Sequence, residues 1–410
     1  MKKRILFVDD RPEVLQGLRR VLRPRRHEWD LAFAASGREA LRMLAAEPAD
    51  VIVSDMRMPG MSGAELLHEV MRKYPQTVRI ILSGHSESES ILQSVGPAHQ
   101  YLAKPCDAET LKATIGKACK VVQLLAQSEP LRRLVSQVDS LPAFPSLYAQ
   151  VMREVQSSEP SLRKIGQVVS SDIGMTAKIL QLVNSAFFGL PREVDNPAQA
   201  VGLLGINTIK TLVLTAHIFS QFQAIRLGTV SSNVLWRHSL ATGVLAAKIG
   251  KREKLDKKLR DQAFMAGLLH DLGKLVLASN LEELYGDLLL RASAEEIPLW
   301  QIEREKWGTT HGEVGGYLLA LWGLPDPIVD GLAFHHDPSR SGKNSFGVAG
   351  LVHVADVLEH EQSGPGLSGV MPELDTEYVY RQGLEERLME WRSLEAEEAT
   401  GASQGRETDV

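Results

Sequence analysis

The chain has 410 residues, more than one hydrophobic core comfortably serves, so two or more domains are expected. Hydrophobic residues make up 44% and charged residues 24%, and the formal net charge is −5, which leaves no electrostatic footprint for nucleic acid or an anionic membrane surface. No apolar run approaches the roughly 20 residues that span a bilayer, and Cys106 and Cys119 read as unpaired thiols, so a cytoplasmic protein without membrane or nucleic-acid partners is expected.

Four apolar runs punctuate the first hundred residues: Ile5–Val8, Val51–Val53, Ile80–Leu82 and Tyr101–Ala103. The first follows three basic residues but is too short for a signal-peptide core. A further run, Leu31 to Ala35, makes a fifth strand, and segments with helical spacing, such as Val14, Leu18, Val21 and Leu22, lie between. Continuous apolar strands alternating with helices predict an α/β domain, a doubly wound parallel sheet of five strands. Ligands of such sheets bind beyond the carboxyl ends of the strands.

Those ends carry Asp9-Asp10, Asp55, Ser83 and Lys104-Pro105. Any one acid there is as easily a turn residue; the set, in this chain order, is not. Three carboxylates in one crevice repel each other and suit a hard divalent cation such as Mg²⁺. The Lys104 ammonium is a compact charge able to hold a phosphoryl oxygen opposite that ion. One carboxylate is then a nucleophile toward an activated phosphoryl group, a transfer that needs mainly positioning and charge neutralisation.

The stretches Ile5 to Asp10, Asp55 to Gly63, Leu82-Ser83-Gly84-His85 and Tyr101 to Pro105 resemble the response-regulator receiver family. The resemblance implies a flavodoxin-like fold with Asp55 as the phospho-acceptor. It also implies Mg²⁺ held by Asp9, Asp10, Asp55 and the backbone carbonyl of Arg57. Ser83 matches a hydroxyl that hydrogen-bonds the phosphate, Tyr101 the aromatic switch residue, and Lys104-Pro105 a cis-proline peptide. A sensor histidine kinase is the implied phosphodonor.

Asp107 caps a long amphipathic stretch through Leu111, Ile115, Ala118, Val122 and Leu125, and a second run carries Leu131, Leu134, Val135 and Val138. Pro130 either starts a new helix or breaks the old one. From Leu141 the pattern is helical. Asn196-Pro197 reads as an N-cap with proline at the first helical position, Gly205 as a stop, and Asn207 as the next cap.

Histidines cluster late: His238, His270, His311, His335 and His336, with Asp271, Lys274 and Asp356 among them. His270-Asp271 interrupts an apolar helix, and a buried carboxylate there needs a cation, a donor or water. Imidazole and carboxylate together suit Zn²⁺, Fe²⁺ or Mn²⁺, which activate water for phosphodiester hydrolysis. A packed, satisfied core histidine is the ordinary alternative for each residue alone.

His238, His270-Asp271 and Asp356 resemble, in that order, the ligand pattern of the HD superfamily, with His311, His335 and His336 nearby. The whole domain resembles the HDOD family, a mostly non-hydrolytic relative. The matching stretches are Leu141 to Pro145, Leu182 to Gly189, Ala200 to Gly205, Trp236 to Ser239, His311 to Gly315 and Trp322 to Pro325. Cyclic-dinucleotide phosphodiesterases of the superfamily follow their His-His pair with Gly-Tyr-Pro. Here His335-His336 leads into Asp337 to Gly342, which argues against that reaction.

The expected organisation is a receiver over 1–122, a helical connector over 123–139, an all-α HDOD domain over 140–360 and an acidic, partly disordered tail over 361–410. The expected function is phosphorelay signalling through a non-catalytic HDOD output, with an unidentified downstream protein and a second copy of the chain as candidate partners. A phosphorylation-controlled metal-dependent phosphohydrolase is the alternative, and Fe, Mn or Zn in the HDOD domain belongs to it.

Overall fold

Each of the five apolar runs is a strand of one sheet: β1 (Lys3–Val8), β2 (Trp29–Ala34), β3 (Val51–Asp55), β4 (Val78–Gly84) and β5 (Gln100–Lys104). All pairings are parallel and the order is β2-β1-β3-β4-β5, a flavodoxin-like doubly wound sheet whose order reverses between β1 and β3. In register, Val8 sits beside Ser54, Asp55 beside Leu82 and Gly84 beside Lys104, so Asp9, Asp55 and Lys104 emerge at one edge. Leu6, Val8, Ile52 and Ile81 meet Leu66 and Val70 in the core beneath. This is a computed structural model, describing residues 2–84, 98–137, 146–155, 161–172, 175–176, 179–180, 183, 194–222, 226–227, 230–343, 345–366 and 369–393.

The chain packs as two units. The first comprises Met1–Glu129, Pro142–His217 and Ala320–Gly323, the second Pro130–Leu141, Ile218–Leu319 and Leu324–Val410. In the first, α1 (Pro12–Leu22), α2 (Gly37–Ala46) and α3 (Gly63–Lys73) cover the sheet. A capping box fixes the start of α3: Ser62 Oγ accepts from Glu65 N, and the Glu65 carboxylate accepts from Ser62 N at 2.8 Å. Asp107 caps α4 (Ala108–Gln127), accepting from Thr110 N at 2.8 Å, and the helix continues through residue 122 without a break. It ends before Pro130, which sits in the opening turn of α5 (Glu129–Gln137), where its missing N–H costs nothing. Val138 and the stretch Leu141 to Pro145 lie outside the described residues, as does Leu182 to Gly189 apart from Val183.

The helices α6 (Ser146–Val155), α7 (Leu162–Ser170), α8 (Pro197–Leu204) and α9 (Ile206–Gln221) follow. Asn196 caps α8 as expected, accepting from Gln199 N at 2.9 Å. Asn207, expected to cap the next helix, is its second residue. Gly205, at φ 82°, ends α8 and also offers the first carbonyl of α9, accepting from Ile209 N at 3.2 Å, so Asn207 falls inside the new helix.

In the second unit, β6 (Arg226–Leu227) and β7 (Val230–Ser231) form a short antiparallel pair. Then come α10 (Ser232–Arg252), α11 (Lys257–Leu269), α12 (Leu272–Asn280), α13 (Glu282–Glu295) and α14 (Leu299–Trp307). After them run α15 (His311–Leu321), α16 (Asp326–Ala333), α17 (Val348–Ser363) and α18 (Thr376–Arg381). The helix α17 is buried at every position from Val348 to His360, the mark of a central helix. Around it pack α10, α11 and α16. A Cβ on Gly267 would lie 2.5 Å from the Gly243 Cα, so only glycine lets α10 and α11 cross this closely. Among the described residues no helix is long and apolar enough to cross a membrane.

Of the segment expected as a partly disordered tail over 361–410, residues 361–366 and 369–393 are described. Tyr378 and Val379 of α18 are buried, and a helical stretch over 387–393 buries Trp391 completely. The apolar side chains within the acidic composition have a core to join. Ala399 onward lies outside the described residues.

Candidate functional site

At the sheet edge, Asp9 follows β1 and Asp55 closes β3, both buried, while Asp10 is half-buried. Lys104, the last residue of β5, places Nζ 2.8 Å from Asp9 Oδ2 and joins Asp55 Oδ1 directly. Arg11 N donates to Asp9 Oδ1 at 3.0 Å and Arg57 N to Asp55 Oδ2 at 3.1 Å. The Lys104–Pro105 peptide is cis. Two carboxylates thus meet one ammonium, with half-buried Asp10 next to Asp9 in the chain, and the surplus negative charge fits a divalent cation. Tyr101 is turned inward, 8% exposed, and the Arg153 guanidinium of α6 lies 5.6 Å over its ring. The side chain of Ser83, and all of His85, lie outside the described residues.

The second unit gathers the histidines. His238 comes from α10, His311 from the start of α15, His335 and His336 from just past α16, and Asp356 from α17. The pair His270-Asp271 is not inside one helix. It is the turn between α11 and α12, and Gly273 just beyond it lets the His311 backbone approach, because a Cβ there would collide with the His311 carbonyl.

The ligand atoms converge. His238 Nε2 lies 3.1 Å from His270 Nε2, 3.2 Å from Asp356 Oδ1 and 3.9 Å from Asp271 Oδ2. Asp271 turns its other oxygen, Oδ1, to His311 Nε2 at 3.3 Å and His335 Nε2 at 3.9 Å. His336 Nε2 stands 3.0 Å from His311 Nε2. One carboxylate therefore faces two lobes: His238, His270 and Asp356 on one side, and His311, His335 and His336 on the other.

The second layer sets the tautomers. Nδ1–H of His270 donates to the Gly267 carbonyl at 2.7 Å, that of His335 to the Leu332 carbonyl at 2.6 Å, and that of His311 to Glu303 Oε2 at 2.7 Å. His238 Nδ1 is held by the Glu359 carboxylate. Each Nε2 is thereby aimed at the centre, the arrangement of metal-bound histidines. Asp271 Oδ1, Asp356 Oδ1 and His335 Nε2 are buried with no hydrogen-bond partner. Orphaned acceptors are costly, and a cation between them removes the cost. The residues fit one or two Zn²⁺, Fe²⁺ or Mn²⁺ ions.

Before an ion binds, His238 carries a proton that the ion would displace. Burial opposes charge on His238, but Asp356 and Glu359 outweigh it and push its pKa up to about 10. Burial likewise opposes charge on Asp271, but the neighbouring His270 and Lys274 hold it well below the usual carboxylate range, with Lys274 Nζ 2.8 Å from Oδ2. Burial, then the charges of neighbouring histidines, keep His335 and His336 neutral.

Several residues of the site escaped the sequence. Glu303, wholly buried, joins His311 to the Tyr285 hydroxyl, which donates to Glu303 Oε1 at 2.8 Å. His360 stands with His238 and Asp356 as a further ligand-spaced group. The spacing Asp356, Glu359, His360 puts all three on one face of α17 and could have signalled them. Nothing local marks Glu303.

A family model for the response regulator receiver domain matches residues 5–116, and one for the HDOD domain matches 141–338. An uncharacterised protein of Treponema pallidum is 26% identical over 204 residues, 50% of this chain and 39% of that protein. The hydrogenase transcriptional regulatory protein HoxA of Cupriavidus necator is 38% identical over 116 residues, 28% of this chain and 23% of that protein. A solved structure of an HDOD domain protein of unknown function from Geobacter sulfurreducens is 23% identical, covering 65% of this chain and 95% of that one, with a TM-score of 0.49. The chain thus spans well under half the length of the curated relatives it matches.

Proposed function

Since the chain belongs to the response regulators that join a receiver domain to an HDOD domain, we propose that it accepts a phosphoryl group on Asp55 and signals through altered contacts of the HDOD domain. A receiver domain implies a phosphodonor; we assign that part to a sensor histidine kinase and place the chain itself in the cytoplasm. The observation that carries the reading is Lys104 Nζ held between Asp9 and Asp55 at the sheet edge. An Asp55 oxygen attacks phosphorus in line, the bond from phosphorus to the donor breaks, and its electron pair leaves with the donor. Lys104 then exchanges its Asp55 contact for a phosphoryl oxygen. Asp9, Asp10, Asp55 and the Arg57 carbonyl would hold Mg²⁺, which offsets the charge of the incoming group.

Output follows from differential contact: occupancy changes what the receiver touches, and only such a difference shifts a docking equilibrium. Tyr101, packed against Arg153 of α6, offers a route into the HDOD stretch. The test is capture of partners by phosphorylated and unphosphorylated full chain. A partner whose affinity shifts by about 5- to 150-fold supports the reading; identical capture contradicts it.

A second reading, a metal-dependent phosphohydrolase, is favoured by the eight-residue cluster and its orphaned acceptors. A bound ion would lower the pKa of a water and polarise a phosphoryl oxygen. Asp271 would face both lobes, and Lys274 would hold Asp271 charged and oriented. The segment after His335-His336 is a short 3₁₀ turn, Pro338–Ser341, without Gly-Tyr-Pro. Cyclic-dinucleotide turnover lost in Asp271→Asn would establish this reading. Tightly bound metal without turnover leaves the cluster as a structural or sensing centre.

A further inference from the structure

The stretch matched by the HDOD model ends at residue 338, yet the chain beyond it reaches back to the histidine cluster. His353 of α17 is 1% exposed and bridges two backbone groups. Its Nδ1–H donates to the His335 carbonyl at 2.7 Å, and its Nε2 accepts from Asp375 N at 2.9 Å. A neutral imidazole has one donor and one acceptor, and both are used. The backbone amide at Asp375 therefore fixes which nitrogen of His353 carries the proton, and so which one supports His335.

Asp375 is anchored in turn. Its Oδ1 accepts from Tyr378 N at 2.8 Å, capping α18, and its Oδ2 accepts from Ser339 Oγ at 3.1 Å. Ser339, three residues past His336, also accepts from Arg381 at 2.7 Å. The ligand loop is thus gripped on both sides, at the His335 carbonyl and at Ser339. Further along, Trp391 stacks on Phe346 at 5.5 Å between ring centres and donates from Nε1 to Glu253 at 3.1 Å. Arg387 pairs with Glu253 at 2.8 Å and Arg392 with Glu361 at 2.7 Å. These contacts close the segment onto the ends of α10 and α17.

We propose that residues 375–391 are a strap that sets the His335–His336 pair for metal binding, with His353 as the positioning residue between strap and ligand. The inference rests on the reading of the cluster as a metal centre. His335 is held at Nδ1 by the Leu332 carbonyl and at its own carbonyl by His353, which leaves Nε2 one direction to point. Loosening the strap frees that backbone and spreads the second lobe. Outer partners of metal-bound histidines are worth about 10- to 100-fold in affinity.

The experiment uses the full chain stripped of metal and titrated with Mn²⁺ and Co²⁺, with His353→Leu, His353→Gln and Trp391→Leu alongside. His353→Leu is expected to weaken binding about 10- to 100-fold and to change the visible Co²⁺ absorption. His353→Gln, which still donates and accepts, is expected to recover most of both. Trp391→Leu, which leaves the cluster and His353 unaltered, is expected to weaken binding in the same direction. Should His353→Leu fail to fold, the other two variants decide. A wild-type chain that binds neither ion refutes the metal reading itself. A wild-type chain that binds while the folded variants match it in affinity and spectrum overturns the strap alone.

Discussion

Glu303→Ala removes a carboxylate that no solvent reaches. Its Oε2 accepts from His311 N at 2.8 Å and His311 Nδ1 at 2.7 Å, and its Oε1 from the Tyr285 hydroxyl at 2.8 Å. Alanine leaves three buried donors unpaired at about 1–3 kcal/mol each, so the unfolding free energy should fall on the order of 5 kcal/mol. Domains are stable by about 5–15 kcal/mol, so the variant should sit near the threshold of folding. Glu303→Gln keeps the shape: its amide oxygen accepts the two His311 donors and its NH₂ meets the Tyr285 oxygen. It should lose about 1–2 kcal/mol, mainly the charge-assisted part of the bonds. Urea unfolding of metal-free protein, read at matched m-values, measures both. An alanine variant that loses less than about 1 kcal/mol would refute the network, because no set of paired, buried donors survives that removal so cheaply.

Asp271→Asn should abolish retention of Mn²⁺ or Zn²⁺ through dialysis, since this carboxylate faces both lobes; retained metal at full stoichiometry would contradict the bridging geometry. Arg153→Ala, which takes the guanidinium off the Tyr101 ring, should leave phosphoryl labelling unchanged and shrink the effect of phosphate on partner affinity. His99 should make the receiver acid-sensitive. Burial, then the Arg79 charge, holds its imidazole well below the usual range, and its Nδ1 accepts from Arg79 N at 3.2 Å. A pKa depressed on folding gives stability that is present above the unfolded value near 6.5 and lost as pH falls toward the folded one. His99→Asn should therefore show a smaller drop in thermal midpoint between pH 6.5 and 5 than wild type; equal drops would remove His99 as a cause.

The receiver was legible because its chemistry sits at strand ends. A parallel sheet sends every carboxyl end to one edge, so Asp9, Asp55 and Lys104 could be gathered from strand positions alone. The histidine cluster was legible as an unusual density of one residue type beside His270-Asp271. Its supports were not. Glu303 sits in Trp300-Gln301-Ile302-Glu303-Arg304-Glu305, and only the approach of α15 to α14 decides which of two glutamates is buried. Trp391 falls on an amphipathic pattern with Leu384 and Leu388, but its partner Phe346 is remote in sequence and no local signal names it. Local pattern marks the ligands; tertiary approach chooses what holds them.

The central claim is that Asp55 is where the signal enters. Incubating the full chain and Asp55→Ala with a small phosphodonor and Mg²⁺, then weighing the intact protein, tests it most directly. The expected result is one phosphoryl group per wild-type chain, stable in acid and lost in base, and none on the variant. Undiminished labelling of Asp55→Ala would contradict the account.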